Sequence, residues 1–229
     1  MEETTNKNFS SDNILRENLI FAGLDDRDLN KAKDFFSMYQ KDYKKDEIIK
    51  KPGEYMQSFG IVIRGNVIAY MDDIDGNHMI VTNVFPSEAF GEALCFLEVR
   101  EVPIYIKAFT DCRIAWLSPE KIKSPSSEIS GSLYTSLTTR YISMLSDRML
   151  AMNDRIQVLS KNSLRRKLTT FFSQCEHRYG QNTFDISMSR YDLAVYLGVD
   201  RSALSRELSA MKNEGIIEFY KNSFRLLNK

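Results

Sequence analysis

From about residue 43 to residue 117 the apolar positions come in short runs, each cut by residues that favour turns. Ile48-Ile49 precedes Pro52-Gly53-Glu54, and Ile61-Val62-Ile63 and Val67-Ile68-Ala69-Tyr70 flank Arg64-Gly65-Asn66. Asp72-Asp73-Ile74-Asp75-Gly76-Asn77 then separates that run from residues 79–85, and Ile104-Tyr105-Ile106 and Ile114-Ala115-Trp116-Leu117 follow. Glycines at 53, 65, 76 and 91 fall 12, 11 and 15 residues apart, close to the spacing of an all-β barrel or jelly roll. Before the strands, residues 28–39 carry Leu29, Ala32, Phe35 and Phe36 on one helical face.

The period then changes. Residues 128–159 contain no proline, and Ile142, Leu145, Met149, Met152, Ile156 and Leu159 recur in steps of 3, 4, 3, 4 and 3. That is the alternation of a coiled-coil seam, with Leu133 and Leu137 extending the apolar face upstream. Arg140, Asp147, Arg148, Asp154 and Arg155 flank a narrow stripe, which suits a helix pairing with its own copy better than a core helix.

The last third begins with a helical pattern over residues 163–173, where Leu164, Leu168, Phe171 and Phe172 face inward. Ser189-Arg190-Tyr191-Asp192 reads as a capping box opening a helix that ends at Gly198. Asp200 is placed to cap a second helix over residues 201–213, broken by Gly215. Apolar runs on either side of Lys221-Asn222-Ser223 predict a hairpin.

Two short helices joined by a tight turn need a small residue where their backbones cross and a glycine at the bend. Ala194 and Gly198 supply these, while Leu193, Leu197, Val199, Leu204 and Leu208 form the wedge between the helices. This is a helix-turn-helix layout, with the second helix offered to a major groove. Arg201, Ser202, Ser205 and Arg206 then share the outward face of that helix. Arginine can bridge guanine O6 and N7, and serine can bond to a base edge or a phosphate. Ser189 is placed to meet a phosphate at a helix N-terminus, and the hairpin bearing Lys221 and Arg225 acts as a wing on the backbone.

Charge fits this division of labour. The whole chain is neutral, with 31 basic and 31 acidic residues among 229. Residues 160–229 hold 12 Lys and Arg against 7 Asp and Glu, so the rest of the chain carries the balancing negative charge. Such an end suits a polyanion, although charge alone equally suits a solvated surface. Three scattered cysteines, Cys95, Cys112 and Cys175, argue against a disulfide framework or a four-thiolate metal site; Cys95 and Cys112 read as small buried hydrophobes, with a redox-reporting role as the alternative. The polar, acidic start shows no export signal, and no apolar run approaches the roughly 18 residues of a membrane span. The chain reads as cytoplasmic. With two histidines far apart, His78 in a predicted turn and His177 in the last third, no metal site or cofactor is expected. A metal-dependent jelly-roll enzyme is improbable on that ground, and a regulatory module acting through protein contacts alone is the main alternative to DNA binding.

Barrel, pairing helix and winged end, in this order, resemble the Crp/Fnr family of bacterial transcription regulators. The motifs are Gly53-Glu54, Gly65-Asn66-Val67, Asp75-Gly76, Phe90-Gly91-Glu92, and the run from Leu197-Gly198-Val199-Asp200-Arg201-Ser202 through Ala203-Leu204-Ser205-Arg206-Glu207-Leu208. The resemblance implies an α+β chain. Residues 1–125 would form an effector-sensing jelly roll of the cyclic-nucleotide-binding kind, 126–160 a dimerisation helix with its hinge, and 161–229 a winged helix-turn-helix. It also implies a homodimer on a pseudo-palindromic operator, an effector switch in the barrel, and RNA polymerase as a further partner. The pairing helix would use Leu137, Ile142, Leu145, Met149, Met152 and Ile156. An apolar effector pocket would be lined by Phe90, Gly91, Glu92, Ala93, Leu94, Val102, Pro103, Tyr105 and Tyr141.

The chain departs from that family's pattern at four places. Cyclic-AMP-binding members follow Gly-Glu, ten residues on, with an Arg-Ser pair that holds the cyclic phosphate. Here Val102-Pro103 stands at that place, with Arg100 two residues away, so the bidentate phosphate contact is missing. Oxygen sensors of the family carry an N-terminal cysteine cluster, and this chain has no cysteine before Cys95. Ser202 replaces a glutamate common in the family, and Glu207 occupies a position more usually apolar, where it would orient Arg206 or Arg201.

Overall fold

The structure is a computed structural model that describes residues 11–72, 78–96, 101–124, 131–186 and 188–227. The turn expected at Asp75-Gly76, and Arg100, lie outside the described residues. The chain divides into two compact units, residues 1–146 and 147–229.

In the first unit, α1 (Ser11–Glu17) and α2 (Asp26–Phe35) precede the strands. Asp25 caps α2 by accepting from the Asp28 N–H at 2.7 Å, and Leu29, Ala32 and Phe35 turn their apolar face into the core. The helix expected over 28–39 therefore starts and stops earlier. Ser37 has a positive φ of 46° that ends it, and β1 (Tyr39–Tyr43) begins at once. That strand was not legible as one, because four of its five residues are exposed.

The strands β2 (Ile48–Lys50), β3 (Phe59–Arg64), β4 (Val67–Asp72), β5 (His78–Val84), β6 (Ala89–Phe90), β7 (Tyr105–Ala108) and β8 (Cys112–Leu117) complete the jelly roll. One antiparallel sheet has the order β1-β8-β3-β6 and the other β2-β7-β4-β5. β3 is buried from Phe59 to Ile63, which is why it reads as a continuous apolar run rather than an alternation. His78, expected in a turn, is the first residue of β5.

Two short helices, α3 (Glu92–Phe96) and α4 (Glu120–Lys123), interrupt and follow the strands. Gly91 opens α3 at φ +76°, a left-handed conformation that favours glycine, with the flexible end of the Met56 side chain 2.2 Å from where a Cβ would stand. The core is dense in rings: Phe36, Phe59 and Tyr141 meet edge to face, and Phe96 lies on Tyr141 at 5.1 Å.

The helix α5 (Gly131–Leu159) runs for 29 residues, and its two parts belong to the two units. In the first unit Leu137, Tyr141 and Met144 are buried in the barrel core.

The second unit holds α6 (Leu164–Tyr179), β9 (Thr183–Asp185), α7 (Arg190–Leu197), α8 (Arg201–Asn213), β10 (Ile217–Tyr220) and β11 (Ser223–Leu226). Its three strands form a sheet in the order β10-β11-β9. The predicted hairpin is present, and β9 joins its outer side. Leu168, Phe172, Phe184, Leu193, Leu197, Leu204, Leu208 and Phe224 make a separate core.

Candidate nucleic-acid interface

The local chemistry of α7 and α8 follows the sequence closely. Ser189 and Asp192 form a reciprocal capping box at the start of α7. The Ser189 Oγ donates to the Asp192 carboxylate at 2.5 Å and accepts from the Asp192 N–H at 3.2 Å. Gly198 ends α7 in the left-handed region at φ +64°, which lets the chain turn sharply into α8. Asp200 stands at the N-cap in extended backbone, but its side chain makes no capping hydrogen bond, contrary to the expectation for it. The turn is held instead by backbone bonds and by Lys167, whose Nζ donates to the Leu197 carbonyl at 2.9 Å.

Burial of Leu204, Leu208 and Met211 fixes which side of α8 faces out. Arg201, Ser202, Ser205 and Arg206 are all exposed there. Neither arginine has a carboxylate partner among the described residues, so both guanidiniums stand open to an anion. Ser209 continues this face, its hydroxyl bonding back to the Ser205 carbonyl at 2.9 Å. Sequence reading missed it although it falls one turn beyond Ser205.

Three arginines set this face by their positions rather than by reaching outward, and none was singled out for that role in the sequence. Arg165 of α6 donates to Glu207 at 2.6 Å and, through both terminal nitrogens, to Glu214 at 2.5 and 2.7 Å. Glu207 thus ties α8 to α6; the expectation that it orients Arg206 or Arg201 is corrected. Arg190 lies with its guanidinium over the rings of Phe219, at 5.3 Å, and Phe224, at 4.7 Å. It also donates to the Lys221 carbonyl at the tip of the hairpin. Lys221, exposed and at φ +49°, is therefore presented on a braced turn. Arg225 of the wing pairs instead with Glu218 at 3.8 Å. Arg155, near the end of α5, stacks on Tyr196 at 5.4 Å and donates to the carbonyls of Tyr196 and Val195 at 3.3 and 3.4 Å. With Val158 fully buried, these contacts fasten the last turns of α5 to α7.

The expected pairing stripe on α5 is largely open. Ile142, Met149, Met152 and Ile156 are 57%, 58%, 60% and 61% exposed, and Leu150 stands beside them at 60%. Leu145 is half-buried against the barrel core. Leu137 is a correction: it is fully buried in its own unit, because the helix there rests on the barrel, and so it has no surface left for a second copy.

The nine residues expected to line an effector pocket fall into a packed region. Phe90, Glu92, Val102 and Tyr141 are buried, and the Tyr141 hydroxyl donates to the Glu92 carbonyl at 2.7 Å. Tyr105 stacks on Tyr70 at 5.0 Å, Leu94 is half-buried, and Ala93 and Pro103 are exposed. Val102 exchanges backbone bonds with Gly53 and Glu54. The place of the family's phosphate-binding pair thus holds a buried isopropyl group and a proline. The three cysteines are free and buried; Cys95 donates to the Gly91 carbonyl at 3.1 Å and Cys112 to the Asn66 carbonyl at 3.0 Å. Burial pushes the Cys95 thiol up to about 12 and the Cys175 thiol to about 11. Among the described residues no helix is long and apolar enough to cross a membrane.

A jelly roll, a long helix and a winged helix-turn-helix with an open basic face define a DNA-binding regulator that carries a sensing type of module. Two family descriptions match the chain: a cyclic nucleotide-binding domain over residues 40–124 and a Crp-like helix-turn-helix domain over residues 166–229. With both modules in this order, the chain belongs to the Crp/Fnr family of transcription regulators. It is 22% identical over 172 residues to the cAMP-activated global transcriptional regulator Vfr of Pseudomonas aeruginosa, covering 72% of this chain and 78% of that one. The solved structure of FixK2 from Bradyrhizobium japonicum matches with a TM-score of 0.55 and 22% identity, over 83% of this chain and 93% of that one. The c-di-GMP responsive regulator CLP of Xanthomonas campestris matches with a TM-score of 0.58 and 16% identity, over 90% of this chain and all of that one.

Proposed function

We propose that two copies of the chain pair along the open stripe of α5 and present two α8 helices to the half-sites of a pseudo-palindromic duplex. The observation that carries this reading is the face of α8, where Arg201 and Arg206 stand exposed without carboxylate partners among the described residues. Arg206, with Ser202 and Ser205, reads base edges; Arg201, Ser189 and Lys221 hold phosphates. Half-sites about 34 Å apart, one helical turn of DNA, suit two-fold pairing. The stripe of Ile142, Leu145, Met149, Met152 and Ile156 is too apolar to be left to water, and a second copy covers it with an identical stripe.

The signal enters through the jelly roll and reaches α5 where Tyr141 bonds to the Glu92 carbonyl. The segment 90–94 with Val102, Pro103 and Tyr105 transmits it. Vfr is activated by cAMP and CLP responds to c-di-GMP, but this chain has no arginine where its cAMP-binding relatives carry one, so its own signal is a different one. We place the protein in the cytoplasm, acting on promoter DNA in the company of RNA polymerase and not as an enzyme.

A gel-shift titration on duplex selected by the protein from a random pool tests this reading. With about six phosphate contacts, affinity falls about a thousandfold between roughly 50 and 200 mM salt. No retained duplex, or binding indifferent to salt, would overturn it.

A further inference from the structure

We propose that the jelly roll has a ligand site in the cleft between edge strands β1 and β2, built for a small aromatic carboxylate. This deepens, and rests on, the reading of the barrel as the sensing module. β1 and β2 are outer strands of different sheets, so the cleft is an open side of the sandwich. It encloses about 370 Å³, within the range of small-molecule sites.

Its walls are rings. Tyr39 and Tyr55 stand at the mouth, 55% and 57% exposed, while Tyr43 and Trp116 are buried beneath. Tyr39, Lys41 and Tyr43 lie on one side of β1, opposite Trp116, Ile114 and Cys112 of β8. Lys41, itself exposed, thus carries an ammonium on the strand side that lines the cleft, beside Tyr39 and Tyr43. It sits over the Tyr43 ring at 4.6 Å and has no carboxylate partner among the described residues. Lys50, by contrast, is taken: it donates to the Tyr55 carbonyl at 3.1 Å and pairs with Glu54 at 3.7 Å.

The Tyr43 hydroxyl accepts from the Trp116 indole N–H at 3.1 Å, which leaves its own proton to give. One free ammonium, one buried hydroxyl donor and ring surfaces on several sides match a carboxylate on an aromatic ring. The lining holds no arginine to clamp a phosphate. The floor of the cleft also leads to α5. Trp116 meets Phe90 edge to face at 5.5 Å, Phe90 is two residues from Glu92, and the Glu92 carbonyl holds the Tyr141 hydroxyl. A ligand that moves the Trp116 ring therefore presses on the segment that touches the pairing helix.

Trp116 is the only tryptophan of the chain, so its fluorescence reports on the cleft directly. The full-length protein is titrated with benzoate, phenylacetate and indole-3-acetate through the millimolar range, in parallel with calorimetry and with benzamide as the neutral control. At least one acid binds saturably, benzamide does not, Lys41→Ala weakens binding about tenfold and Lys41→Arg restores most of it. Circular dichroism confirms that both variants are folded. Absence of saturable binding by all three acids, or binding that Lys41→Ala leaves unchanged, overturns the site. If such binding is found and leaves the affinity for the selected duplex unchanged, the coupling to α5 is overturned. A failed site with intact, salt-dependent duplex binding leaves the regulator reading standing, so the two failures are told apart.

Discussion

Tyr141→Phe removes one hydroxyl at the junction between barrel and α5 and nothing else. That hydroxyl donates to the Glu92 carbonyl at 2.7 Å from a side chain only 1% exposed. Burial pushes the phenol well above its ordinary range, so it is a neutral donor at any working pH. A neutral hydrogen bond contributes about 1 kcal/mol, and a buried acceptor that loses its partner costs up to about 3, so the loss is about 1–2 kcal/mol. With a urea dependence of about 2 kcal/mol per molar, the midpoint falls by roughly 0.5–1 M. Trp116 lies in the same core and is the sole tryptophan, so its fluorescence follows this unit without a contribution from the DNA-binding one. Tyr134→Phe is the control, because its hydroxyl donates to the Ile122 carbonyl at 3.1 Å from a half-buried position and its loss shifts the midpoint less. A Tyr141→Phe midpoint equal to that of the parent would refute the assignment of this bond as the tie between sensing module and helix.

Calorimetry with cyclic AMP gives no saturable heat, since the buried Val102 and the exposed Pro103 replace the phosphate-holding pair; micromolar binding would contradict this. Arg206→Ala costs about 1–3 kcal/mol of duplex affinity and relaxes one position in each half-site, whereas uniform weakening on every sequence would make Arg206 a phosphate contact. At pH 8 the native thiols react with a disulfide reagent far more slowly than the unfolded ones, because Cys95 and Cys175 are held protonated at about 12 and about 11. The same shift makes stability fall as pH rises from about 9 towards 12, since the unfolded chain releases thiol protons that the native state retains. Equal labelling rates in native and unfolded protein would refute the burial.

The parts of the fold written in local pattern were readable in advance. The capping box of Ser189 and Asp192, the left-handed Gly198 and the apolar wedge of α7 and α8 are each decided within a few residues. The exposed face of α8 followed from them by helical periodicity alone. β1 was not readable, because an edge strand with four exposed residues lacks the alternation that marks a half-buried one. The roles of Arg165, Arg190 and Arg155 were hidden for a different reason: their partners lie 42, 31 and 41 residues away in the chain. Leu137 shows the limit of periodicity itself. Leu137 stands five residues before Ile142, off the 3-4 step that runs from Ile142 to Leu159, and shares its buried face with Tyr141 and Met144, so the upstream leucines belong to the barrel core and not to the open stripe.

The most direct test of the central claim is the mass of the protein–duplex complex by sedimentation equilibrium. A selected pseudo-palindromic duplex is compared with one cut to a single half-site, and Met149→Glu/Met152→Glu is run beside the parent. The account requires two chains on the full duplex, and a lone, weakly bound chain when the paired variant loses the apolar stripe. One parent chain on the full duplex, or two chains of the charged variant bound as tightly as the parent, would contradict it.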